Sequence, residues 1–138
     1  MNLDRFKQQH VEILQTIAQM RKHVHAGIPE NADAIAQGIM ALRTKVNLHL
    51  SVEDRVLYPQ IHKLDDERLV RLAKTYQDEM QGLAGAFVEF CSRWTFAKAI
   101  AAQPEEFRQD ANTVMKALHE RVQRENTEFY PRLEQSVS

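Results

Sequence analysis

The sequence predicts an all-α protein, an up-down-up-down four-helix bundle. Four stretches of roughly 20 to 30 residues repeat apolar side chains at steps of three and four, the signature of a helix face. Only four glycines and four prolines punctuate the chain, and no low-complexity linker separates the stretches, so long regular elements are expected. Short connections between such helices favour antiparallel neighbours within one chain. At 138 residues the chain is long enough for one domain with a sizeable core, spanning residues 1–138.

The first helix is expected from about Asn2 to His25, with Asn2 as N-cap and Gly27 as the stop. Its stripe is Phe6, Ile13, Ile17 and Met20; His10 falls in the gap and points at the core. His23 and His25 are read as solvated. After the turn at Gly27-Ile28-Pro29-Glu30, Asn31 or a neighbour caps a second helix running to about His62. Its stripe is Ile35, Ile39, Leu42 and Val46, then His49 and Glu53, then Val56 or Leu57. Pro59, which lacks an N–H, is expected to bend or end this helix.

An Asp at Leu64-Asp65-Asp66 caps the third helix, whose stripe is Leu69, Leu72, Tyr76, Met80, Leu83, Phe87, Phe90 and Trp94. Thr95 to Ala102 fits either a helical continuation or a loop. Gln103-Pro104-Glu105-Glu106 opens the fourth helix, with proline at its first position and acids facing the positive end of the dipole. That helix carries Phe107, Ala111, Val114, Leu118, Val122, Glu125 and Phe129 inward.

A formal net charge of −1, with no block of Lys or Arg, removes the usual footprint of nucleic-acid binding. Cys91 is the sole cysteine, so no intrachain disulfide and no Cys-rich metal site exist. No apolar run reaches the ~20 residues of a membrane span, and residues 1–5 lack a signal-peptide core; a soluble cytoplasmic protein is the expectation. No nucleophile triad, phosphate loop or nucleotide motif marks an enzyme.

The chemistry lies in polar residues that occupy core positions. His49 and Glu53 stand four apart, one turn along the same face. Their segment has a weak repeat: Glu53-Asp54-Arg55-Val56-Leu57-Tyr58-Pro59 aligns with Glu125-Asn126-Thr127-Glu128-Phe129-Tyr130-Pro131. The halves are unequal, because His10, His49 and Glu53 correspond to Met80, Arg121 and Glu125. Counting ~1.5 Å of rise per residue from each turn, His10, His49, Glu53, Tyr76, Glu79, Met80, His119, Arg121 and Glu125 are expected at one level. Inward carboxylates and imidazoles from bundle helices suit iron or manganese. A buried hydrogen-bonded His49–Glu53 pair, answered by Arg121 without any metal, is the competing reading.

Together, His10, the His49-x-x-x-Glu53 pair with Asp54 and Leu57-Tyr58-Pro59, and Glu125 with Phe129-Tyr130-Pro131 resemble hemerythrin-like (HHE cation-binding) domains over nearly the whole chain. The resemblance implies a metal, iron, held by His10, His49, Glu53 and Glu125. The family's usual centre has two irons, with histidines from all four helices and two bridging carboxylates. Here Met80 stands in the third helix and Arg121 four residues before Glu125, where that centre takes histidines; His119 points about 200° away from Arg121 around the helix. Arg121 is then expected in roughly the second cation's place, answering Glu53 and Glu125, which leaves one metal or none. The implied roles are iron handling, or sensing of oxygen, nitric oxide or redox state, with a metal ion and a small diatomic molecule as ligands. The alternative is a metal-free regulatory or structural bundle acting through a protein partner. A di-metal oxidase ranks below both, since no Glu-x-x-His pair stands in the right helices.

Overall fold

The computed structural model describes residues 1–136. Among them there is no strand, and four long helices form the body: α1 (Asp4–Ala26), α2 (Ala32–Val52), α4 (Glu67–Arg93) and α6 (Pro104–Arg124). Three short helices complete it: α3 (Tyr58–His62), α5 (Ala97–Ala102) and α7 (Tyr130–Gln135). α1 packs on α2 and α6, and α4 packs on α6 and α2, which closes a ring of four. Neighbours run antiparallel: His10 meets His49 while Thr16 meets Lys45, and Arg93 meets Asp110 while Tyr76 meets Arg121. The all-α up-down-up-down bundle expected from the sequence is thus the observed architecture.

The helix ends follow their local chemistry. Asn2 acts one residue earlier than expected: Leu3 is the N-cap of α1, and Asn2 Oδ1 accepts from Asp4 N–H at 2.9 Å. Gly27 ends α1 at φ 126°, a conformation that suits glycine, and a Cβ there would collide with the Glu30 carboxylate. Asn31 is the N-cap of α2 by position, but its amide turns back to donate to Gly27 O at 2.8 Å. Asp66 caps α4 through its side chain, accepting from Arg68 N–H at 3.0 Å and Leu69 N–H at 3.2 Å. Replacing Asp66 with alanine orphans both donors and is expected to cost about 1 kcal/mol, read as a lowered urea midpoint at unchanged slope. Between α4 and α6 the chain breaks at Trp94, whose indole N–H donates to Asp110 Oδ2 at 3.1 Å, and α5 fills the stretch that sequence left open.

The second helix departs from expectation at Pro59. It does not stop there but widens beforehand into a π-turn, Glu53–Leu57, and continues as α3. The fourth helix does the same at Glu125–Phe129 before Pro131. Proline brings no N–H, and its ring presses on the carbonyl four residues back. One extra residue in the turn moves that carbonyl aside, and the bond is made five residues along, from Tyr58 N–H to Glu53 O and from Tyr130 N–H to Glu125 O. The repeat seen in sequence is therefore a repeat of backbone geometry, and each π-turn begins at a glutamate.

Two apolar clusters make the core. One gathers Ile17, Ile35, Ile39, Leu42, Phe87, Trp94 and Phe107 toward the Gly27 end; the other gathers Leu3, Phe6, Leu57, Ile61, Tyr76, Phe129 and Leu133 at the opposite end. Between them lies a buried polar layer: Gln9, His10, His49, Glu53, Arg121 and Glu125. Cys91 is buried in the first cluster, where burial pushes its thiol up to about 11 and keeps it unreactive near neutral pH. No helix among the described residues is long and apolar enough to cross a membrane.

Candidate metal centre

α1 supplies His10, α2 supplies His49 from its last turn, and the two π-turns supply Glu53 and Glu125 as their first residues. All four are nearly sealed from solvent, at 1%, 4%, 1% and 2% exposure respectively. His10 Nε2 lies 3.0 Å from His49 Nε2 and 2.8 Å from Glu125 Oε1. His49 Nε2 lies 3.7 Å from the same Glu125 oxygen and 3.4 Å from Glu53 Oε1. His10, His49 and Glu125 present one donor atom each within 4.8 Å of one another, a spacing that a single metal ion bridges. Glu53 lies beside this trio, tied to it through His49 and Tyr130.

The opposite ring nitrogens are already committed. His49 Nδ1 sits 2.8 Å from Gln9 Oε1, and His10 Nδ1 sits 2.8 Å from Asn126 Oδ1. An amide oxygen only accepts, so each ring carries a proton on Nδ1 and turns Nε2 inward. Two imidazole lone pairs facing at 3.0 Å repel unless positive charge stands between them. A metal ion satisfies both; a proton on one nitrogen is the alternative. Two imidazoles and carboxylate oxygens, with the imidazoles oriented by outer hydrogen bonds, form a donor set that fits a divalent transition metal.

The electrostatics separate the two glutamates. Burial, followed by the neighbouring Glu125 charge, pushes Glu53 well above the usual carboxylate range. Burial also opposes ionisation of Glu125, but the closeness of His10 and His49 and the charge of Arg121 outweigh it and hold Glu125 well below that range. Burial lowers His49, which keeps it neutral and able to donate its Nε2 pair.

Arg121 does not stand where the sequence put it. Its guanidinium reaches Glu125, with Nε 3.5 Å from Oε2, but makes no ion pair with Glu53 among the described residues. It is drawn outward: one terminal nitrogen donates to Tyr76 O at 2.7 Å, the other lies 3.7 Å from Glu79 Oε2, and the plane covers the Tyr76 ring at 4.6 Å. Arg121 Nε and Glu125 Oε2 face one another without a hydrogen bond. The expected single layer also loses other members. His119 is exposed on the outside of α6, Glu79 is exposed and paired with Arg124, and Met80 is half-buried at a cavity wall. Each sits at the right height, but axial height says nothing about the angle around the helix.

Three residues of the site escaped the sequence. Gln9 and Asn126 orient the imidazoles, and Tyr130 places its hydroxyl 3.3 Å from both Glu53 Oε2 and His10 Nε2. In the sequence Tyr130 is only part of the Tyr-Pro pair near a helix end. The π-turn is what brings it under the glutamate. Adjacency was the available signal for the other two, since Gln9 precedes His10 and Asn126 follows Glu125.

A family model described as the hemerythrin HHE cation binding domain matches residues 1–133. Comparisons with curated proteins and with solved structures returned no match.

Proposed function

This chain belongs to the hemerythrin HHE cation-binding family, and from that premise we propose that residues 1–138 form one domain holding a single iron ion through His10, His49 and Glu125, with Glu53 completing the set. The observation that carries this is the facing pair of Nε2 atoms, 3.0 Å apart, each with its Nδ1 bound to an amide oxygen. A bound iron ion supplies redox activity and a place for a small ligand. The chain's own residues do the rest. Gln9 and Asn126 fix the rings, Tyr130 donates to Glu53, and Arg121 balances the outer oxygen of Glu125. The two apolar clusters exclude bulk water from both ends. Such a centre suits iron handling, or sensing of oxygen, nitric oxide or redox state in the cytoplasm, rather than turnover of an organic substrate.

A second reading has one specific support. His10, Glu125 and Arg121 already form a chain of ion-pair contacts that needs no metal, so the layer can serve as a register device for a bundle that acts on a protein partner. Metal analysis with an optical spectrum of protein made under iron-replete conditions separates the two. Near-stoichiometric iron, one per chain, is expected. Clean apo-protein favours the second reading, and two irons per chain contradict the single-ion proposal.

A further inference from the structure

The pseudo-twofold that relates the π-turns pairs Tyr130 with Tyr58, and the two hydroxyls differ. Tyr130 bonds within the polar layer. Tyr58 is 4% exposed, yet its hydroxyl makes no hydrogen bond to any described residue. The hydroxyl is not fully sealed, so water can serve it and a visiting molecule can take that water's place. Tyr58 lines a cavity of about 110 Å³ between α2 and α4, whose wall also includes Glu53, Asp54, Met80, Gln81 and Ala84. That volume is well above the ~10–15 Å³ that one water molecule requires. Glu53 belongs to both this cavity and the His49 cluster, so the cavity adjoins the site from the α4 side. From α4 the wall is completed by Gln77, Met80, Gln81 and Ala84.

We propose that this cavity is the port by which a small uncharged molecule reaches the centre, with the Tyr58 hydroxyl as the donor that holds it. Two features set the class of ligand. The enclosed volume admits a molecule of a few heavy atoms. The lining includes the exposed carboxylate Asp54 and no Lys or Arg, so small anions are repelled at the mouth. Tyr58 is a positioning residue here, since its hydroxyl holds the visitor and makes no hydrogen bond to a proposed ligand of the metal.

The destination rests on the metal-centre proposal; the cavity itself does not, and the test uses both. In crystals of metal-free protein under xenon pressure, xenon is expected beside Tyr58 and Met80 in wild type and absent in Ala84→Phe. In iron-loaded protein, nitric oxide uptake followed by stopped-flow absorbance is expected to slow at least ~10-fold in Ala84→Phe and in Gln81→Trp, a change at an exposed rim position. Iron content stays unchanged in both. Tyr58→Phe is expected to speed release about fivefold, the value of one hydrogen bond, at an unchanged uptake rate. Asp54→Asn is expected to speed azide uptake and leave nitric oxide uptake alone. A wild-type cavity that takes no xenon overturns the proposal, as does uptake unchanged in both filled variants at equal iron content. Failure of wild type to bind iron overturns the metal reading instead, and the xenon result still decides the cavity.

Discussion

Replacing His49 with alanine is expected to abolish stoichiometric iron binding while the bundle stays folded. The imidazole supplies one of two nitrogen donors, and its Nε2 is the atom nearest both His10 and Glu53. Its loss should exceed the ~10–100-fold fall in affinity typical when only an outer hydrogen-bond partner is removed. Gln9→Ala and Asn126→Ala provide that smaller standard, because each frees an imidazole to rotate without deleting a donor. The expected order is therefore wild type, then the two amide variants, then His49→Ala, read by metal titration with circular dichroism as the folding control. Equal affinity across the series would remove both histidines from the site.

Arg121→Met is expected to lower the stability of metal-free protein by ~3–5 kcal/mol, the usual result of stranding a buried charge. The residue is 6% exposed, and Glu125 is held ionised in part by its charge. Glu79 and Tyr76 lose a partner at the same time, but Glu79 is exposed and keeps Arg124. Saturating metal should recover much of the loss, since a divalent cation supplies the charge that Glu125 then lacks. Urea unfolding with and without metal measures both quantities. An equal loss under the two conditions would mean that Arg121 acts through its packing on Tyr76 rather than through charge.

The two results bear on one physical point. A layer of His, Glu and Arg between two apolar clusters is stable only if its charges balance. Arg121 balances the charge of Glu125 from outside, and a cation among His10, His49 and Glu125 would let Glu53 ionise as well.

The four long helices, the turns at Gly27 and Asp66, and the start at Pro104 were legible in the chain. Each of these follows from a periodicity or a capping residue, which is local information. The same periodicity also placed His10, His49, Glu53 and Glu125 inside, because a polar residue in an apolar stripe has nowhere else to point. Which of them meet depends on how the helices pack. Height along the bundle grouped Glu79, Met80 and His119 with the rest, and the rotation of each helix about its own axis took them out. Arg121 was drawn from Glu53 toward Tyr76 and Glu79 by partners that lie on another helix. Tyr130, Gln9 and Asn126 became visible through the π-turns and the facing of α1 against α2 and the Glu125–Phe129 turn. A proline in a helix predicts strain, but whether the strain appears as a kink, an end or a widened turn depends on what packs against it. Here packing of α3 and α7 into the second apolar cluster favours the widened turn, and that turn sets the glutamates and tyrosines at the centre.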